Sequence, residues 1–193
     1  MTEVLTAEQA HGTNRISNGQ RGGTPLIAAS RIGRRVHQLG KQISAEYAGI
    51  DMPLVLVVIL KGATVFAADL LRSLTIPAEL EFVRAASYGA GTSSQGQTLR
   101  LAHLVQGSLT GRHVLLVEDI VDSGRTAHAV IRSVSRLRPA SLRLAALLDR
   151  PARRTIRVPI DFKGFTIPDR FVIGYGLDYA GLYRELPAIY SLG

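Results

Sequence analysis

Val114-Leu-Leu-Val-Glu-Asp-Ile-Val-Asp-Ser-Gly-Arg-Thr126 is an apolar run that ends in two acids and a small polar turn. The run predicts a buried strand over His113–Ile120, and the following periodicity predicts a helix from Thr126 to Leu137. In a parallel α/β sheet, ligands lie beyond the carboxyl ends of the strands. Glu118 and Asp119 stand at such an end, where they can accept hydrogen bonds from sugar hydroxyls or sit near a metal. The turn from Asp122 to Thr126 leads directly into the helix. Its backbone N–H groups, with the hydroxyls of Ser123 and Thr126, can hold a monophosphate at the positive helix end. Gly124 would let the backbone approach that phosphate closely. The competing reading is an ordinary strand-to-helix junction with Asp122 or Ser123 as the N-cap. Neither a Walker A loop nor a Gly-x-Gly-x-x-Gly dinucleotide turn is present.

Outward from this segment, strands alternate with helices. Thr24-Pro25 opens a helical pattern carried by Ala28, Ile32, Val36, Leu39 and Ile43. Leu54–Leu60 reads as a buried strand, Thr64–Ser73 as a helix and Leu80–Arg84 as a second strand. Ala85–Thr98 is rich in Gly, Ser and Thr, and a stretch this long without apolar content is either a functional lid or disorder. Leu99–Leu104 and Leu142–Leu148 complete the predicted strands before a tail of short strands and turns. The order predicts an α/β fold, a mostly parallel twisted sheet flanked by helices, with a small terminal hood. Residues 1–24 read as a flexible arm and 25–193 as one domain.

Composition narrows the function. The 193 residues are 46% apolar and 20% charged, as in ordinary globular proteins. With no cysteine, a disulfide framework, a thiol nucleophile and a Cys-ligated zinc are excluded. No apolar run reaches the roughly 18 residues that span a bilayer, and no basic-then-apolar leader is visible, so a cytoplasmic location is expected. The net charge of +8 suits an anionic substrate. It is carried almost entirely by arginine, because Lys41, Lys61 and Lys163 are the only lysines. No dense basic run interleaved with aromatics occurs, so a nucleic-acid partner is not expected.

The 114–126 segment resembles the 5-phosphoribosyl-1-pyrophosphate motif of the phosphoribosyltransferases: apolar strand, two acids, two apolar residues, then Asp-Ser-Gly-x-Thr. The resemblance runs from about Leu54 to Leu186 and implies the type I fold of that family. It implies that Glu118 and Asp119 contact the ribose hydroxyls. Asp122, Ser123, Gly124, Arg125 and Thr126 would hold the 5-phosphate, with Asp122 also accepting a proton from the purine. Leu60-Lys61-Gly62 resembles the family's pyrophosphate loop, where the peptide before Lys61 is cis. Ser87-Tyr88 resembles its catalytic lid, which keeps water from a carbocation-like sugar.

Phe162–Tyr179 is similar to the hypoxanthine-guanine branch of the family. By that match Phe171 stacks on the purine, the backbone of Val172 reads its edge, and Arg184 contacts pyrophosphate. Asp178 would lie near the purine's exocyclic position and, with Glu118 and Asp119, near Mg²⁺. One position departs from the pattern: Arg150 stands where the branch usually has a lysine donating to the purine O6. Arginine can still donate to a carbonyl oxygen, but with another shape and stiffness. The resemblance therefore implies transfer of 5-phosphoribosyl to hypoxanthine or guanine, with Mg²⁺ as cofactor, a nucleotide product and a homodimer or homotetramer. A transferase preferring xanthine or a modified purine, and a non-catalytic nucleic-acid-binding regulator, are the alternatives.

Overall fold

The computed structural model describes residues 24–86, 100–103 and 109–192. Helix α1 (Ala29–Glu46) presents Ile32, Val36, Leu39 and Ile43 as one buried stripe. It begins four residues later than Pro25, because the backbone of Ile27 is used elsewhere. The Ile27 N–H donates to Ile189 O at 3.1 Å, and the Ile189 N–H donates back to Ile27 O at 3.0 Å. Ala28 is therefore the exposed N-cap and not part of the buried stripe.

Strand β1 (Leu54–Leu60) is apolar throughout and buried from Leu54 to Ile59, as a strand covered on both faces must be. It is followed by α2 (Thr64–Ser73), β2 (Ala78–Ala86) and β3 (Arg100–His103). Strand β2 runs two residues beyond Arg84, into the expected loop; the rest of that loop, Ser87–Thr98, lies outside the described residues. Then come β4 (His113–Val121), α3 (Arg125–Ser135), β5 (Ser141–Asp149), β6 (Phe162–Thr166), β7 (Phe171–Ile173) and β8 (Tyr190–Leu192). The expected arm falls on residues 1–23, which are not described.

The main sheet has the order β3-β2-β1-β4-β5-β6, and only β3 pairs antiparallel, at one edge. Period-2 alternation divides the strands between two cores. Leu56, Val58, Leu115 and Val117 pack with α1 and α2 residues such as Leu39 and Phe66. Val55, Val57, Val114 and Leu116 pack on the other face with Ala127, Val130 and Val134 of α3. After β1 the chain adds strands toward one edge, and after β4 toward the other. The crevice beyond the ends of β1 and β4 is thus the topological switch point, where open α/β sheets bind ligands. The β7–β8 ribbon and the Ile27–Ile189 bridge form the hood expected from the irregular tail.

Candidate active site

Strand β4 ends at the switch point with consecutive acids facing opposite ways. Glu118 lies on the α3 side and borders a small cradle of about 50 Å³ formed with Asp122, Ser123, Gly124 and Thr126. Asp119 lies on the α2 side and borders a pocket of about 220 Å³ with Arg150, Phe171, Val172, Leu177 and Asp178. Ile120 lines both. A strand points neighbouring side chains to opposite faces, so the two acids border different pockets on either side of Ile120.

Both carboxyls are perturbed. Burial lifts Glu118 well above the usual carboxylate range, the charge of Asp119 adds to this, and Arg154 opposes it. The buried Oε2 of Glu118 has no hydrogen-bond partner among the described residues. Asp119 is pushed up to about 6, chiefly by burial. Backbone N–H groups and Arg184 pull it down, and Asp178 adds to the rise. The Ile120 N–H donates to Asp119 Oδ1 at 2.9 Å.

The phosphate turn is not capped by a side chain. Gly124 is the N-cap of α3, with φ of 84°, and no side-chain hydrogen bond closes the helix. Asp122 and Ser123 therefore do not occupy the N-cap position, and among the described residues the first N–H of α3 meets a side chain only at long range. A Cβ on Gly124 would stand 2.2 Å from Ile156 O, so the turn lies flush on the 150–156 segment and requires glycine there. Ser123 Oγ makes a long contact of 3.4 Å with the Arg125 N–H, and the Arg125 side chain is exposed.

The peptide between Leu60 and Lys61 is cis, as the resemblance implied. Lys61 is exposed, and its carbonyl accepts from the Thr64 N–H at 3.2 Å and hydroxyl at 2.7 Å. Gly62 touches the second acid: a Cβ there would fall 1.6 Å from Asp119 Oδ2. The loop after β1 and the end of β4 thus meet through a missing side chain.

Above the larger pocket, Phe171 is 44% exposed, which rules out simple core packing. Its ring meets Tyr179 edge-on, with centroids 5.8 Å apart. Val172 is buried. Arg184 Nη2 pairs with Asp178 Oδ1 at 2.6 Å, and Asp178 Oδ2 accepts the Gly181 N–H at 2.8 Å. On the pocket wall, Arg150 is buried and holds Asp122. Ser87 and Tyr88 lie outside the described residues.

Among the described residues, no three of His, Cys, Asp and Glu gather into a metal cage. Asp119 and Asp178 do line one pocket, each within reach of the other's charge, while Glu118 belongs to the cradle. Two carboxylates in a crevice that also admits substrate oxygens fit Mg²⁺, which keeps several waters and seldom takes an all-protein shell.

Sequence reading missed Leu177, a pocket residue, and Arg154, which reaches the phosphate turn from 32 positions away. The Lys163 side chain is 45% exposed, with its Nζ 3.1 Å from Asp149 Oδ2.

Residues 26–180 match the family model for the phosphoribosyl transferase domain. The chain is 43% identical over 164 residues to the hypoxanthine phosphoribosyltransferases of Salmonella typhimurium and Escherichia coli, covering 85% of this chain and 92% of theirs. A Bacillus anthracis hypoxanthine-guanine phosphoribosyltransferase structure superposes with a TM-score of 0.82 at 37% identity, covering 89% of this chain and 99% of that one. A Trypanosoma cruzi hypoxanthine phosphoribosyltransferase, a mutant in a ternary substrates complex, gives 0.82 at 39% identity, covering 88% and 94%. With the sheet order and the two-sided crevice, these likenesses establish that the chain belongs to the phosphoribosyltransferase family.

Proposed function

We propose that this protein transfers the 5-phosphoribosyl group of 5-phosphoribosyl-1-pyrophosphate to N9 of hypoxanthine, and of guanine, in purine salvage. The observation that carries this is the pair of pockets sharing Ile120: an uncapped helix start on one side, an aromatic-walled pocket on the other. That is the layout of a nucleotide, with the 5-phosphate in the cradle, the base beside Phe171, and the ribose over the end of β4.

In the reaction the anomeric carbon breaks its bond to pyrophosphate and forms one to the purine nitrogen, and the purine loses a proton. The N–H groups of the 122–126 turn and the hydroxyls of Ser123 and Thr126 fix the phosphate. Glu118 and Asp119 orient the ribose. Lys61, Gly62 and Arg184 bind the leaving pyrophosphate, whose growing charge the two cations stabilise. Asp122 takes the proton. Phe171 stacks on the base, and the Val172 backbone meets its edge. Mg²⁺, held by Asp119 and Asp178 together with substrate oxygens, would add Lewis-acid stabilisation of the pyrophosphate. Ser87 and Tyr88 belong to the segment assigned to closing over the sugar. A cytoplasmic homodimer or homotetramer completes the assignment.

Arg150 fits selection of a 6-oxopurine. A guanidinium has five N–H donors. Three are used, two on Asp122 and one on Arg170 O, which leaves two to meet a carbonyl oxygen on the base. An amino group at that position would find only donors facing it.

The test is the initial rate of nucleotide formation with the ribosyl donor and Mg²⁺, comparing hypoxanthine, guanine, xanthine and adenine. Fast turnover of hypoxanthine or guanine, reduced about 10²- to 10⁴-fold by Asp122→Asn, is expected. Donor binding without turnover of any base would overturn the assignment and favour a regulator.

A further inference from the structure

Three successive carbonyls, from the last residue of β4 into the phosphate turn, are tied to the segment behind it. Val121 O accepts from the Arg150 N–H at 3.1 Å and from Arg154 Nη2 at 2.9 Å. Asp122 O accepts from Arg154 Nε at 2.9 Å. Ser123 O accepts from the N–H groups of Thr155 and Ile156, at 3.0 and 2.9 Å, and from the Thr155 hydroxyl at 3.1 Å. In a trans peptide the C=O and the next N–H point in opposite directions. Carbonyls 121, 122 and 123 drawn toward the 150–156 segment therefore turn the N–H groups of Asp122, Ser123 and Gly124 away from it, toward the cradle.

Arg154 contributes two of these ties with one planar group. The group is held in turn by Asp149, whose Oδ1 lies 2.5 Å from Arg154 Nη2 and whose Oδ2 pairs with Lys163. Both ends are largely buried, with side-chain exposures of 16% for Arg154 and 11% for Asp149. A guanidinium suits this task because its donors form a rigid fork that spans two carbonyls and a carboxylate together; an ammonium is a point charge on a flexible stem. Gly124, pressed against Ile156 O and Arg154 Cδ, leaves no gap through which the turn could relax.

We propose that Arg154 is a positioning residue for ribosyl-donor binding, which sets the aim of the phosphate turn without touching the substrate. The proposal rests on the reading that residues 122–126 hold the 5-phosphate. It assigns to Arg154 a share of phosphate affinity, not of chemistry. Its substitution therefore raises KM for 5-phosphoribosyl-1-pyrophosphate while kcat stays within a few-fold.

The experiment compares inosine 5′-monophosphate with inosine, which lacks the phosphate, by calorimetric titration of the full chain and of Arg154→Ala and Arg154→Lys. In the wild type, the nucleotide binds far more tightly than the nucleoside. In Arg154→Ala that ratio falls roughly 10- to 100-fold, the scale of losing hydrogen bonds from a charged donor, with inosine affinity unchanged. Arg154→Lys keeps the charge toward Asp149 and so remains folded if the alanine variant does not; it lands between the two. A folded variant with the wild-type ratio overturns the positioning role. Equal affinity for nucleotide and nucleoside in the wild type overturns the reading of the turn itself, and the proposal with it.

Discussion

Arg150 grips the Asp122 carboxylate on both oxygens, Nη2 to Oδ2 at 2.6 Å and Nε to Oδ1 at 3.1 Å. Arg150 is buried, while the Asp122 side chain is 36% exposed toward the cradle. A carboxylate has about four lone-pair sites, so this grip leaves sites free on Asp122 for the proton that the proposed reaction releases. On the proposed function, the arginine would fix the aim of the proton acceptor and keep two N–H donors for the base.

Removing this grip has two separable consequences. Arg150→Met takes away both the donors for O6 and the hold on Asp122. It should lower kcat/KM for hypoxanthine by roughly 10- to 100-fold. Arg150→Lys keeps a donor but not the fork, and its loss should be smaller. Neither change should lower the rate with adenine, so the ratio of hypoxanthine to adenine turnover is the quantity to measure.

The contact between Gly62 and Asp119 predicts a coupled pair. A methyl group at 62 collides with the Asp119 carboxylate. Gly62→Ala should cost about 1–3 kcal/mol of stability, with a raised KM for the ribosyl donor. In an Asp119→Ala background the collision is gone and the stability cost should nearly vanish. Urea unfolding of the two single variants and the double variant reads this coupling.

Asp119 also gives the fold a pH dependence. Its carboxyl titrates near 3.8 when unfolded and at about 6 when folded, so the folded protein prefers the protonated form. The stabilisation is complete below the unfolded value and is lost as pH rises through about 6. Asp119→Asn does not titrate. Its melting temperature should match that of the wild type near pH 4 and exceed it increasingly up to about pH 6, with a constant gap above. Thermal melts between about pH 4 and 8 measure this; a gap that shrinks as pH rises would reverse the sign and sink the idea.

The hood is fastened to α2 by Tyr175, whose hydroxyl donates to Asp69 Oδ2 at 2.6 Å. Tyr175→Phe should cost about 1 kcal/mol, a drop of roughly 2–4 °C in Tm. Asp69 remains paired with Arg72, so the loss should stay near that of a single hydrogen bond. A larger loss, accompanied by a raised KM for the purine, would show that the bond also sets the pocket wall that includes Leu177 and Asp178.

Much of this protein is determined by its sequence alone. Seven apolar residues in β1 need cover on both faces, which makes a parallel sheet between helices almost unavoidable. The acids after the apolar run of β4, and a turn small enough to admit a phosphate, locate the binding end of that sheet. These features are local, with spacing set by strand and helix geometry. Tertiary structure decided the rest. That Glu118 and Asp119 serve different pockets follows from which helix covers each face. The late start of α1 follows from Ile27 pairing with Ile189, at the far end of the chain, an attachment no local propensity records. Arg150 stood out in the sequence as a departure from the family pattern, but its grip on Asp122 was not legible, because the two are 28 positions apart. Arg154 was invisible for the same reason. Its partners are backbone carbonyls, which every residue carries, so only the folded chain shows which ones it meets.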